Sequence, residues 1–80
     1  MPLVETSDLE SPGDTMYERV QWLVEEYGEV MVRFDSGVEA ELHRHNVEFL
    51  DSPMVKVVAP DAVHWFDANR IESYWIHYEF

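Results

Sequence analysis

The chain of 80 residues contains no cysteine, which excludes both disulfide bonds and thiolate zinc sites. Its three glycines are isolated from one another, so it has no glycine-rich loop that could bind a phosphate group. It has no apolar run long enough to span a bilayer, and residues Met1–Glu5 do not resemble a secretory signal. We therefore expect a cytoplasmic protein without a membrane partner. A domain this small has a marginal core unless it associates with another chain.

Basic residues are also scarce. Asp and Glu number 17 against 5 Lys plus Arg, the net charge is −12, and Lys56 is the single lysine. At low ionic strength so small a domain repels itself, whereas at molar salt the Debye length falls to about 3 Å and the repulsion is screened. The composition therefore predicts a protein of a salt-rich cytoplasm. An acidic protein that binds basic partners is the alternative, and the dispersed acids argue against a mimic of nucleic acid.

What the chain does contain is apolar and aromatic residues, at 46% and 14%, which is too much for a disordered protein. We predict a flexible tail over residues 1–13, which are rich in proline, serine and acids, and a single domain over residues 14–80. Thr15 and Glu18 have the spacing of a capping box, and Gly28 stands where a left-handed helix cap belongs. The helix between them has one apolar stripe, made of Met16, Val20, Leu23, Val24 and Tyr27.

From Glu29 onward the apolar period changes to two, which is typical of strands. Five strands are predicted, over Val30–Phe34, Val38–Phe49, Met54–Ala59, Val63–Phe66 and Ile71–Phe80. The odd–even pattern slips between Leu42 and Val47, which predicts a β-bulge within residues 44–46 and a bent second strand. We therefore expect an α+β fold, in which an N-terminal helix precedes a five-stranded, strongly bent antiparallel sheet or small β-barrel.

The order of these elements carries a resemblance to known proteins. The strands flanking the turn Asp35-Ser36-Gly37, the bent strand that follows, and the segment Phe66–Ile71 carry it. Over residues 15–76 the chain resembles the Sm-like and SH3-like small β-barrels. The resemblance concerns element order, since the residues His64–Ile71 do not reproduce the polar RNA-binding motif of bacterial Sm-like proteins. It implies a nucleic-acid-binding protein as one functional alternative.

The last predicted strand is unusually aromatic, and large apolar side chains fall on both of its faces. A small barrel can bury one face only, and exposed aromatic area usually marks a contact surface. We therefore predict a non-enzymatic protein-interaction or regulatory module whose partner is another protein or a second copy of the chain. The predicted interaction surface comprises Trp65, Tyr74, Trp75, Tyr78 and Phe80.

Two alternatives remain open at this stage. Binding of nucleic acid would need the fold to gather Arg33, Arg44 and Arg70 beside an aromatic platform. Binding of a metal would use His43 and His45, which share one strand face if the strand is regular. No activated nucleophile or paired acid and base stands out, so we predict neither enzymatic activity nor a cofactor.

Overall fold

The structure is a computed structural model that describes residues 13–77. Within that range, one α-helix, α1 (Met16–Tyr27), precedes six strands, and a 3₁₀ turn, Ala68–Arg70, joins the last two. The strands are β1 (Glu29–Phe34), β2 (Glu39–His43), β3 (Val47–Phe49), β4 (Met54–Val58), β5 (Val63–Asp67) and β6 (Ile71–Trp75). The predicted α+β class is confirmed. Most of the predicted tail and the end of the predicted last strand lie outside the described residues.

The helix begins and ends where its capping residues predict. Thr15 Oγ1 accepts a hydrogen bond from the Glu18 amide at 3.1 Å, and Glu18 Oε1 accepts one from the Thr15 amide at 3.3 Å. At the other end, Gly28 has φ +85° and donates its N–H to the Val24 carbonyl at 2.8 Å. That left-handed conformation favours glycine because a Cβ would meet the backbone. The helix therefore stops at Tyr27, and β1 starts at Glu29, directly after Gly28.

The described strands form two three-stranded antiparallel sheets. Sheet 1 has the order β2-β1-β6, and sheet 2 has the order β3-β4-β5. Val30 and Val32 of β1 face the core opposite Leu42 and Ala40 of β2, as the period of two predicts. Both sheets contribute their inner faces to one core, against which α1 packs three buried side chains, Val20, Leu23 and Val24.

The predicted second strand is two strands, so residues 13–77 contain six strands where five were predicted. A turn over residues 44–46 separates β2 from β3, and the two strands belong to different sheets. Asn46 holds this turn, because its Oδ1 accepts from the His43 amide at 2.7 Å and its Nδ2 donates to the Glu41 carbonyl at 3.2 Å. An asparagine that bonds nearby backbone competes with strand pairing, which explains a turn where a bulge was expected.

The core lies between the two sheets and under the helix. Its fully buried members, Val20, Val30, Val32, Leu42, Val55 and Ala68, are all apolar, and no polar or charged residue among residues 13–77 is buried. Tyr17 ties the helix to the end of β3, since its hydroxyl donates to the Leu50 carbonyl and its ring meets Phe49 edge to face at 5.4 Å. Within the described range, no helix is long and apolar enough to cross a membrane.

Candidate interaction surface

Exposed apolar side chains gather on the outer face of sheet 2. In β4, Val55 and Val57 point into the core, so the alternating residues point outward. The cross-strand register places Val58 opposite Val63 and Lys56 opposite Trp65. We call four of these outward residues the outer apolar face: Met54, Val58, Val63 and Trp65. Their exposed fractions are 36%, 50%, 42% and 58%.

The charge near this face differs from that of the whole chain. Lys56 Nζ lies 3.8 Å from Glu48 Oε1 and 6.0 Å from the centroid of the Trp65 ring. Among the residues of β4 and β5, Asp67 is the one acid, and its Oδ1 accepts the Asn69 amide at 2.7 Å. The outer apolar face is therefore a nearly neutral region on a protein of net charge −12.

A groove opens between β2 and the β4–β5 pair of sheet 2. It encloses about 230 Å³ and is predominantly apolar. Phe34 and Phe66 pack edge to face across the groove, with ring centroids 4.8 Å apart, so side chains of the two sheets are in contact at this point. The rest of its lining comes from Val38, Glu39, Ala40, Val57, His64 and Trp65.

The three described residues of the predicted interaction surface, Trp65, Tyr74 and Trp75, do not share one face. Trp65 is strongly exposed, but Tyr74 faces the core opposite Val32, and its hydroxyl oxygen is buried without a hydrogen-bond partner among the described residues. Trp75 is half-buried on the outer face of sheet 1, where the Arg33 guanidinium lies 5.6 Å from its ring centroid. Tyr78 and Phe80 lie outside the described residues.

Three exposed residues of the outer apolar face were missed by the sequence analysis: Met54, Val58 and Val63. The available signal was the period of two in β4, which puts Met54 and Val58 on the face opposite Val55. The paired valines at positions 57 and 58 obscured that period, since either could have been the inward residue.

The three arginines proposed to bind nucleic acid lie on different segments, β1, the turn after β2 and the 3₁₀ turn, and each contacts a nearby oxygen atom. Arg33 donates to Glu39 Oε2 at 2.7 Å, and Arg70 lies 3.2 Å from Asp35 Oδ2. Arg44 instead donates to the Glu25 carbonyl near the end of α1, at 2.6 Å. A cation beside the C-terminal end of a helix is favourably placed by the helix dipole. These contacts give each arginine a local role.

Histidines and carboxylates meet at the end of sheet 1 where β1 begins. Glu29 Oε2 accepts from His77 Nδ1 at 2.9 Å and from the His77 amide at 3.3 Å, and Glu29 Oε1 lies 4.0 Å from His43 Nδ1. The backbone N–H of His77 lowers the pKa of Glu29, and the His77 ring adds to that effect. His43 also stacks on His45, with ring centroids 5.4 Å apart, and its Nε2 lies 3.3 Å from Glu41 Oε1.

Glu29, His43 and His77 of this cluster line a cleft of about 600 Å³ at the edge of sheet 1. The Nδ1 atoms of His43 and His77 both approach the Glu29 carboxylate, and His43 Nε2 approaches Glu41. Over residues 13–77, no group of three or more histidine or acidic side chains is arranged to hold a metal ion. The pair predicted to bind metal, His43 and His45, stacks with its ring planes at 18°.

Comparison of the chain with protein-family models, with curated proteins and with solved structures finds no match.

Proposed function

We propose that this chain is a non-enzymatic protein-interaction module of a salt-rich cytoplasm, and that it associates with a second copy of itself. The observation that carries the proposal is the outer apolar face. Its four side chains are adjacent on one sheet, and each exposes at least 36% of its surface. Exposed apolar side chains that cluster on one face of a sheet often mark an interaction surface.

Charge favours a second copy as the partner. Two copies of a chain with net charge −12 repel each other wherever their acidic surfaces approach. That repulsion is reduced at the outer apolar face, because Lys56 and Glu48 neutralise each other there and β5 has no acid before its last residue. A salt-rich cytoplasm screens the remaining repulsion within about 3 Å at molar ionic strength.

We further propose that the two sheets form a small open barrel of the SH3-like or Sm-like type. Two features support this interpretation: β6 returns to pair with β1, and a 3₁₀ turn joins β5 to β6. In such a barrel, α1 covers one opening of the core, and the strand edges remain available for contacts with another chain.

Sedimentation velocity in molar KCl tests the self-association. The variant Trp65→Gln removes the most exposed side chain of the face, and Tyr27→Gln is a matched control because Tyr27 is a similarly exposed aromatic residue on the helix, at 55% against 58%. We expect a dimer that Trp65→Gln weakens at least tenfold and Tyr27→Gln leaves unchanged. A monomer at all protein concentrations, or a dimer that Trp65→Gln does not weaken, would overturn the proposal.

A further inference from the structure

Among residues 13–77, β5 is the outer strand of sheet 2 and pairs on one side only, with β4. In an antiparallel pair, residues that exchange backbone hydrogen bonds alternate with residues that do not. At the β4–β5 hairpin, the amide of Ala59 donates to the Ala62 carbonyl at 2.8 Å, and the reverse bond measures 3.4 Å. At the far end, Ala68 donates to the Pro53 carbonyl at 2.8 Å in the same register. The odd-numbered residues 53–59 are therefore the ones bonded toward β5.

The same alternation fixes which backbone groups of β5 are free. His64 and Phe66 lie opposite odd-numbered residues of β4, so their N–H and C=O groups are used within the sheet. The N–H and C=O groups that point to the open edge belong to Val63, Trp65 and Asp67. A second hydrogen bond supports this assignment. Val58 lies opposite Val63, and its N–H donates at 2.8 Å to the Asn46 carbonyl on the other side of β4, away from β5.

The other open edges of the described sheets are protected against pairing. Charged side chains on an edge strand discourage pairing with another chain, and so does a very short strand. β2 carries Glu39 and Glu41, β6 carries Glu72, and β3 has only three residues, one of them Glu48. β5 has no lysine, no proline and no register irregularity in its pairing with β4, and its one acid is the last residue. Among these edges, β5 is the one without such protection.

We propose that two copies of the chain pair edge to edge through β5, antiparallel, about a two-fold axis that passes beside Trp65; this inference rests on the self-association proposed above. In that register Trp65 lies opposite Trp65 of the second copy, and Val63 lies opposite Asp67 of the second copy. Each of these residues is one whose backbone groups point to the open edge. All three therefore exchange hydrogen bonds, and the two sheets become one sheet of six strands.

The side chains fit the same arrangement. On the outer side, the two Trp65 rings become neighbours, since residues directly opposite in a bonded pair have Cα atoms about 5.5 Å apart. On the inner side, His64 faces Phe66 of the second copy, and both residues line the apolar groove described above. The pairing therefore buries part of the outer apolar face and covers the mouth of the groove, without placing two acids opposite each other.

A distance measurement tests the register directly. Because the chain lacks cysteine, a single spin label is introduced at Glu48→Cys in the full chain. Glu48 is exposed and lies on β3, which is separated from β5 by β4. Five strand spacings of about 4.8 Å separate Glu48 from its copy, so we expect a Cα separation of about 24 Å. Pulsed electron paramagnetic resonance in molar KCl measures the distance between the two labels, from which the Cα separation follows once the length of the label side chains is allowed for. A dimer with a clearly different separation would overturn the edge pairing and leave the self-association standing, whereas a monomer would overturn both.

A pair of variants tests the hydrogen bonds. Val63→Pro removes an N–H that points to the open edge, and proline is tolerated at the first residue of an edge strand. Val63→Ala shortens the same side chain and keeps the N–H. The two-fold axis makes the proline variant lose two bonds, so we expect its dimer to dissociate roughly tenfold or more readily than that of the alanine variant. Equal dissociation constants for two folded variants would overturn the pairing.

Discussion

Replacement of Leu42 by alanine should remove a large part of the stability of this domain. Leu42 is among the largest of the fully buried side chains, with 0% exposure, and it lies opposite Val30 between the helix and the two sheets. The change deletes three carbons, for a transfer loss of about 2.4 kcal/mol at 0.8 kcal/mol per methylene. A residual cavity adds to this, so we expect a total loss of about 3–4 kcal/mol.

The expected loss from Leu42→Ala is a large part of the total free energy of unfolding. A chain of this length has a free energy of unfolding of roughly 4–12 kcal/mol. Each kcal/mol shifts the midpoint of a domain this small by about 4–8 °C, so Leu42→Ala should lower Tm by at least 12 °C. Urea unfolding in molar KCl measures the free energy, and Val38→Ala is the control because Val38 is 60% exposed. A loss below about 1 kcal/mol for Leu42→Ala would refute the assignment of this core.

Three further predictions concern charge, the helix cap and acid. The thermal midpoint should rise steeply between about 0.1 M and molar KCl because screening relieves self-repulsion, and a flat midpoint would contradict the proposed adaptation to salt. Thr15→Ala should cost about 1 kcal/mol of unfolding free energy and Thr15→Ser much less, since serine keeps the capping oxygen; equal losses would exclude the cap as the cause. Glu29 should titrate below its ordinary pKa of 4.5 because the His77 amide stabilises its carboxylate. Its contribution to stability is complete above that pKa and is lost as the pH falls through the depressed value, so a Glu29 midpoint at or above 4.5 by carbon NMR would contradict the contact.

Local signals predicted the helix well. The capping box and the glycine cap are interactions between neighbours in sequence, so they form in the same way whatever surrounds them. The apolar stripe was right for Val20, Leu23 and Val24, which are buried. It was wrong for Tyr27, which is 55% exposed and packs edge to face on Trp22 at 6.0 Å, because the helix ends there and its last turn extends past the core.

The predicted strand Val38–Phe49, which is β2 and β3 in the structure, could be predicted only in part from the sequence. The slip of period after Leu42 located the irregularity, but a bulge and a turn produce the same slip. The choice depends on which partners the N–H of His43 and the carbonyl of Glu41 find. A turn forms here because the Asn46 side-chain amide bonds both groups, the N–H of His43 and the carbonyl of Glu41.

The candidate site was the hardest feature to predict, since exposure depends on which sheet covers a strand. Trp65 and Tyr74 are both aromatic residues on strands near the end of the chain, and the sequence pattern treated them alike. Trp65 lies on the outward side of an edge strand, whereas Tyr74 points at the core opposite Val32. Only the pairing of β6 with β1, between residues about 40 positions apart, makes that difference.

The turn at Asn46 and the open edge of β5 are connected. Because that turn separates β2, which belongs to sheet 1, from β3, which belongs to sheet 2, β2 does not pair with β5 among the described residues, and the groove opens between β2 and the β4–β5 pair. Within the described residues, β5 then pairs with β4 alone, and its remaining backbone groups are left for another chain. At low salt, repulsion between two acidic copies keeps such edges apart at long range, whereas at molar salt the pairing depends on short-range contacts. Folding and association should therefore strengthen over the same range of salt, although they depend on different residues.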